Sequence, residues 1–350
     1  MKENVYIKSL TTATPDNIIH QNQVLPAATS HFSSKNPTFK RLMKVYMNSS
    51  IETRFSSVPL NWYTKKHTFS ERNSLYLDYG LELLEKVSLD AINKANLTNN
   101  DIDGVVAVSS SGIATPSLDA LLIDKLKLKR NTLRMPIFGL GCVGGVVGFS
   151  RASDIAIANK GKNILFVVLE LCGLTFRHND FSKSNIVATA LFADGAAAAI
   201  LNTEKSNYSI IASGEYTWDQ SLDVMGWDVK DDGLAVVFSK DIPSLVRNNF
   251  KQALDDFLLT NNIKFEDINN FVCHPGGIKV IEALEDILKI KNGGLNISRD
   301  ILKKYGNMSA ATVLFVLEKS LSLNKKGKYL VTSLGPGFTA GFLIIEKYND

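Results

Sequence analysis

Three cysteines in 350 residues leave little from which to build a covalent framework. Cys142, Cys172 and Cys273 are odd in number and lack the paired spacing of a disulfide scaffold or a zinc site. No metal centre is expected, and a reducing, cytoplasmic compartment fits. Long apolar runs are missing as well. The longest, Ile164–Leu169 with its neighbours, falls far short of the roughly 20 residues a membrane-spanning helix needs, and reads as a buried strand. Met1–Leu10 reaches polar Thr11 and Thr12 before an apolar stretch of signal-peptide length forms, so neither export nor a membrane span is expected. Nor does one sign of charge dominate. A formal net charge of +4, with its lysines and arginines scattered, argues against nucleic-acid binding through a basic stripe and is compatible with anionic small substrates. No tract is compositionally biased, so disorder is not expected.

What is present is an ordinary globular composition, 45% hydrophobic and 21% charged, over a length that suits two modest domains or one large double unit. Apolar runs at Gly104–Val108, Ile164–Leu169 and Tyr329–Leu334 alternate with helix-length segments at Tyr76–Ala95, Val143–Asn159 and Ser309–Ser322. That alternation predicts an α/β fold with buried strands.

The chain also echoes itself. Asp101-Ile102-Asp103-Gly104-Val105-Val106 resembles Asp267-Ile268-Asn269-Asn270-Phe271-Val272, an offset of 166 (267 − 101). Lys160-Gly161-Lys162 and Lys326-Gly327-Lys328 give the same offset (326 − 160), and each match leads into a strand. Two similar halves follow, 1–203 and 204–350, divided in the polar stretch Asn202–Asn207. A region of about 21–72 has no counterpart at this offset and is expected to be an inserted cap.

Three residues carry the candidate chemistry. Cys142 lies in Gly139-Leu140-Gly141-Cys142-Val143-Gly144-Gly145, between a strand and a helix start. There a thiol faces unpaired helix N–H groups and the positive dipole end, which stabilise a thiolate, and glycines admit a substrate. A lone apolar cysteine is more often structural; the glycine turn weighs the other way. His274, in Cys273-His274-Pro275-Gly276-Gly277, ends a strand, where α/β proteins place their sites. A lone histidine is more often a core or surface residue, but the rigid proline and flexible glycines argue for a site. Asn307, in Gly306-Asn307-Met308-Ser309, would by itself be a helix cap. Since 307 − 166 is 141, its helix start is expected to correspond to the one carrying Cys142 and to face it across a pseudo-twofold axis. A thiolate to accept an acyl group and two neutral donors to hold an enolate oxygen suit a thioester-handling enzyme. Cysteine proteases also use Cys, His and Asn, but nothing around Cys142 resembles them.

Taken in order, these motifs, with Leu191-Phe192-Ala193-Asp194-Gly195-Ala196-Ala197 and Gly335-Pro336-Gly337-Phe338, resemble the type III polyketide synthases of the chalcone synthase superfamily, most closely the bacterial members. The likeness spans nearly the whole chain. It implies a thiolase-like fold of two duplicated α/β halves in layers αβαβα. It further implies that Cys142 carries the growing chain, that His274 keeps it ionised, and that His274 and Asn307 stabilise the enolate from malonyl-CoA. Substrates would be acyl-CoA and malonyl-CoA, with no metal and no prosthetic group. Phe192 matches the aromatic gatekeeper, whose plain alternative is core packing. Ser111, Glu170, Cys172, Thr175, Gly226 and Ser309 match positions around the cavity, and Gly335, Pro336 and Gly337 its floor. Thr115-Pro116 matches a loop that enters the partner's cavity in a homodimer, with a cis bond before Pro116. Arg54 and Lys44, with Lys40 and Arg41, fall where the family holds CoA phosphates, although an exposed helix face explains the last three equally. Val236 stands where plant members have a second gatekeeper phenylalanine, which should widen the passage for a longer starter. Ala193 replaces a glycine usual beside the gatekeeper. The rivals are a 3-oxoacyl-acyl-carrier-protein synthase III-like initiating enzyme, which takes malonyl on a carrier protein, and a catalytically silent thiolase-fold binding protein. A hydroxymethylglutaryl-CoA synthase would need a catalytic glutamate motif that is absent.

Overall fold

The structure, a computed structural model, describes residues 4–290 and 294–347. Nine strands form one sheet in the order Ile268–Cys273, Gly327–Gly335, Thr339–Lys347, Tyr208–Thr217, Val5–Ala13, Asp194–Asn202, Asn163–Leu171, Ile102–Val108 and Leu133–Ile137. Outward from its middle the order repeats: Tyr208–Thr217 stands to Val5–Ala13 as Thr339–Lys347 to Asp194–Asn202, Gly327–Gly335 to Asn163–Leu171 and Ile268–Cys273 to Ile102–Val108. Within the sheet the two halves meet along Val5–Ile210, Tyr6–Ser209 and Ile7–Tyr208 among the described residues.

Five layers follow from which face each strand residue buries. In Asn163–Leu171, the side chains of Ile164, Phe166 and Val168 pack into a core shared with the helices Gly144–Ala158 and Thr312–Ser322. Leu165, Val167 and Leu169 instead pack beneath Phe69–Lys94 and Leu118–Lys125. In the other half Tyr329 and Val331 face the shared core, while Leu330 and Leu334 face Ile242–Thr260 and Ile278–Ile287. A strand covered on both faces has no reason to alternate with polar residues, which is why these segments read as unbroken apolar runs. The four alanines Ala196–Ala199 are intrinsically better helix formers, yet they lie in a strand between two helix layers, where small side chains fit.

The repeat is visible in detail. The short 3₁₀ turns Asn99–Asp101 and Phe265–Asp267 are 166 apart, as are Asn96 and Asn262, both at φ 56°, and Gly161 and Gly327, both with positive φ. The register then drifts. The 3₁₀ turn and helix at Gly141–Val143 and Gly144–Ala158 correspond to Ser309–Ala311 and Thr312–Ser322 at an offset of 168 (309 − 141). Cys142 therefore corresponds to Ala310 and not to a residue beside Asn307, because the strand-to-helix connection of the second half is two residues longer.

The cap consists of the hairpin Asn17–His20 with Thr53–Ser56, helices Gln21–Phe32 and Phe39–Met47, and the turn Leu60–Thr64. Its helices bury Val24, Phe32, Phe39 and Leu42 against Ile186 and Ala190 of Lys183–Leu191. The long helix Phe69–Lys94 opens with a capping box, Thr68 Oγ1 accepting from the Glu71 N–H at 3.1 Å and Glu71 Oε2 from the Thr68 N–H at 2.7 Å.

Candidate active site

The turn carrying Cys142 is fixed from three directions. The Ser110 hydroxyl accepts from the Gly141 N–H at 3.0 Å, and the Ser333 hydroxyl donates to the Cys142 carbonyl at 2.6 Å. Gly335 lies so close that a Cβ on it would be 2.6 Å from both the Leu140 carbonyl oxygen and the Val143 nitrogen, and one on Gly141 would be 2.7 Å from the Pro336 ring. The glycines of both motifs are thus required by the approach of one half's turn to the other half's strand end. Gly337 precedes a cis peptide bond to Phe338, and Thr115–Pro116 is cis as well.

His274 follows the end of strand Ile268–Cys273, which lies beside the strand that holds Ser333. Its N–H donates to the Thr332 carbonyl at 2.9 Å. The residue is 4% exposed, and neither Nδ1 nor Nε2 has a hydrogen-bond partner among the described residues. Asn307 ties into the same loop: Nδ2 donates to the Gly276 carbonyl at 3.1 Å, and Oδ1 accepts from the Ser309 N–H at 2.9 Å. Its backbone pairs with that of Phe192, the Asn307 N–H donating to the Leu191 carbonyl at 2.8 Å and the Ala193 N–H to the Asn307 carbonyl at 2.9 Å. Asn307 thus caps a turn, as its type suggests, and spends one of its two amide hydrogens on the histidine loop.

The electrostatics differ from the expectation of a standing thiolate. Burial pushes the Cys142 thiol up to about 12, against a hydrogen bond with the Ser309 hydroxyl that pulls the other way. Burial lowers the His274 imidazole to about 3. Burial thus disfavours the charged form of each group. Glu170 lies within reach of Cys142, with Oε2 accepting from the Ser110 N–H at 3.3 Å; burial raises its carboxyl to about 7, although the Ser111 and Ser309 hydroxyls oppose this. Ser111 also accepts from the Leu171 N–H at 2.9 Å.

Beyond Phe192 lies a cavity of about 390 Å³ whose lining includes Cys172, Thr175, Phe192 and Val236 together with cap residues. Val236 faces Trp227 across a two-stranded ribbon, and the Trp227 and Phe238 rings lie 6.1 and 5.6 Å from that of Phe192. The smaller side chain at 236 therefore stands inside an aromatic cluster that neighbouring positions supply. Gly226 does not line this cavity, and a Cβ there would meet nothing within 4 Å.

Arg54 is not free to hold a CoA phosphate. It is 5% exposed, and its guanidinium donates to the carbonyls of Thr189, Ala190 and Phe192 at 2.8–3.0 Å and to Gln21 Oε1. Lys44, by contrast, is exposed on Phe39–Met47 together with Lys40 and Arg41. Sequence reasoning gave no role to Ser110, Ser333 or Trp227, since lone serines and a lone tryptophan carry no local signal. Asp194 lies within the Leu191–Ala197 motif, and its task comes from the fold: its carboxylate accepts from the Ser57 N–H, the Ser57 hydroxyl and the Gly173 N–H at 2.7–2.9 Å, stitching cap to sheet.

This geometry can be set beside known proteins. The family model for the N-terminal domain of chalcone and stilbene synthases matches residues 2–205, and that for the C-terminal domain matches 212–347. A putative chalcone synthase of Bacillus subtilis is 35% identical, the alignment covering 97% of this chain and 98% of the relative. A 1,3,6,8-tetrahydroxynaphthalene synthase of Streptomyces peucetius is 34% identical over 87% of this chain and 83% of its own length. The crystal structure of the Streptomyces coelicolor 1,3,6,8-tetrahydroxynaphthalene synthase, a bacterial type III polyketide synthase, superposes with a TM-score of 0.93 at 25% identity, covering 98% of this chain and 99% of that one. The chain belongs to the chalcone and stilbene synthase family, the type III polyketide synthases, a family of acyltransferases with the thiolase-like fold.

Proposed function

We propose that this enzyme condenses malonyl-CoA iteratively with an acyl-CoA starter carried on Cys142 and cyclises the product to an alkylpyrone, a resorcinol or a related ring. The observation that carries the reading is the linkage of three buried polar groups from both halves: the Cys142 turn bonded to Ser333, His274 bonded to the adjacent Thr332, and Asn307 bonded to the His274 loop. A buried imidazole with both nitrogens unpartnered is costly and is kept where a ligand or a reacting group completes it.

In the loading step, Cys142 Sγ attacks the starter carbonyl while its proton passes to the neutral His274, and the CoA thiol leaves with a proton. Malonyl-CoA then enters with its thioester oxygen toward His274 and the second Asn307 N–H. Loss of CO₂ places negative charge on that oxygen, where these donors act in a water-poor site. The enolate carbon attacks the Cys142 thioester, the sulfur leaves, and the extended chain, now on CoA, reloads. No metal or prosthetic group is needed, since carboxylate loss itself supplies the carbanion. Lys44 on the exposed cap helix is the remaining candidate for the CoA phosphates. The homodimer, with the Thr115-Pro116 loop reaching the partner's cavity, and a cytoplasmic location, which suits three free cysteines, belong to the same reading.

The test is incubation with labelled malonyl-CoA and a panel of acyl-CoA starters, alongside Cys142→Ala, with chromatography of the organic extract. Labelled pyrones or resorcinols absent from the variant support the proposal. Activity only with malonyl-carrier protein would turn the assignment to an initiating ketoacyl synthase.

A further inference from the structure

The ribbon of Met225–Lys230 and Gly233–Phe238 stands apart from the main sheet. Among the described residues its two strands pair only with each other. Yet Trp227, Val236 and Phe238 pack from it onto the buried cluster of Cys172, Ala188 and Phe192, and Phe192 pairs through its backbone with Asn307. Val236 borders the 390 Å³ cavity on one side and an open groove lined by Arg177 and Asp180 on the other, so the ribbon is a thin wall there. Such a wall holds its side chains in register only if both of its ends are fixed.

The base is fixed by backbone. The Ser239 N–H donates to the Val224 carbonyl at 2.8 Å, the Val224 N–H to the Ser221 carbonyl at 3.3 Å, and the Phe338 N–H to the Ser221 hydroxyl at 2.7 Å. The tip is fixed by charge. Asp232 Oδ1 accepts from Arg177 Nε at 2.7 Å and lies 2.6 Å from its Nη2, while the Asp232 carbonyl accepts from Arg72 Nη2. Arg72 is 3% exposed, and its Nη1 donates to the carbonyls of Leu174 and Phe176 at 3.3 and 3.1 Å. Arg177 is steadied by Asp180 at 2.7 Å, and Asn185 Nδ2 donates to the carbonyls of Arg177 and Asp180 at 3.0 and 2.7 Å. Both arginines belong to the first half and Asp232 to the second. At Gly233, where φ is 122°, a Cβ would be 2.8 Å from Arg72 Nη2 and 3.0 Å from Phe69 Cδ2, so the tip sits on Arg72 without slack. Burial lowers the Arg72 guanidinium, with Asp232 opposing this and Arg177 adding to it.

We propose that Asp232, Arg177 and Arg72 form a clasp that holds the ribbon against Phe192, and that all three are positioning residues: by fixing Trp227, Val236 and Phe238 they set the size of starter admitted beside Phe192. The statement about starters rests on the condensing chemistry proposed for Cys142, whereas the clasp rests on its own geometry. Asp232 is the member whose loss matters most. Without its carboxylate, Arg72 and Arg177 lose the counter-charge they share, and the ribbon is left with its base and its apolar packing alone. Loss of a partly exposed ion pair shifts an equilibrium by up to about fivefold, and here the equilibrium is between the ribbon seated and the ribbon lifted.

The experiment follows iodoacetamide labelling of Cys172, counted by peptide mass spectrometry, in the wild type, Asp232→Asn, Arg177→Met and the double variant. Cys172 is 2% exposed beneath the ribbon, so its labelling rate reads the lifted fraction; Cys273, buried in a separate core, reads general loosening in the same samples. Each single variant should label Cys172 about fivefold faster with Cys273 unchanged. The double variant should also reach about fivefold and not about 25-fold, since both substitutions remove one interaction. An unchanged Cys172 rate, an equal acceleration of Cys273, or additive effects would overturn the clasp. In turnover assays, kcat/KM for benzoyl-CoA relative to acetyl-CoA should rise by the same factor in the single variants, and a uniform fall for both starters would overturn the positioning role. Labelling needs no substrate, so it decides the clasp even where no starter condenses, and that failure would count against the synthase reading alone.

Discussion

Gly335→Ala tests the contact by which one half of the molecule positions the nucleophile of the other. Gly335 does not have positive φ, so alanine brings no backbone strain there and the whole effect comes from the added methyl. That methyl would lie 2.6 Å from the Leu140 carbonyl oxygen, 2.6 Å from the Val143 nitrogen and 2.9 Å from Val143 Cβ. Ordinary contact is about 3.5 Å, so the backbone on either side of Cys142 must retreat by nearly 1 Å. It cannot do so freely, because the Ser110 and Ser333 hydroxyls hold Gly141 and Cys142. Overpacking of this kind costs about 1–3 kcal/mol, and a reacting group misplaced by about 1 Å can lose about 100-fold in rate. Turnover is followed as CoA release from malonyl-CoA plus starter, and stability by urea denaturation. A variant with wild-type turnover and an unchanged midpoint would refute the claim that the Gly335 approach positions Cys142. Gly226→Ala is the contrasting case: a Cβ there meets nothing within 4 Å, and stability should stay within about 0.5 kcal/mol.

Glu170 has a folded-state value raised to about 7 by burial, so its protonation favours the fold: stability should rise as pH falls through 7 toward the unfolded value near 4.5. Glu170's share of the difference between pH 8 and pH 5.5 is about 2 kcal/mol, set against the buried His274, which loses stability as pH falls; that share should be lost in Glu170→Gln, and a pH dependence identical to wild type in urea titrations would rule this out. Arg54→Met strands three backbone carbonyls that the guanidinium now satisfies, and should cost about 3–5 kcal/mol, whereas a CoA-binding role would instead raise KM at constant stability. Because burial pushes the Cys142 thiol up to about 12, its alkylation by iodoacetamide should climb about tenfold per pH unit up to pH 9. A plateau near neutrality would reveal a standing thiolate–imidazolium pair instead.

The alternation of apolar runs with helical segments, the duplication at offset 166 and the glycine-flanked Cys142, His274 and Asn307 were all legible in the sequence, because each depends on local periodicity or on turn chemistry that only certain residues satisfy. The five layers followed from the family resemblance that the motifs carry, whereas the strand order is visible only in the fold. What the chain order could not reveal was which groups meet across the interface between the halves. Arg54 reads as an exposed cation in a basic stretch, and only the fold brings the carbonyls of Thr189, Ala190 and Phe192 around it. Cys142 reads as a helix-start thiolate, yet its ionisation is governed by how thoroughly the chamber is closed to water, a property of every wall at once. The cavity past Phe192 has no sequence signature either, for it is the space left when small cap residues such as Ala28 pack opposite Cys172. Local sequence determined which elements form and where chemistry is possible; long-range packing alone decided which polar groups are already satisfied and where a ligand has room.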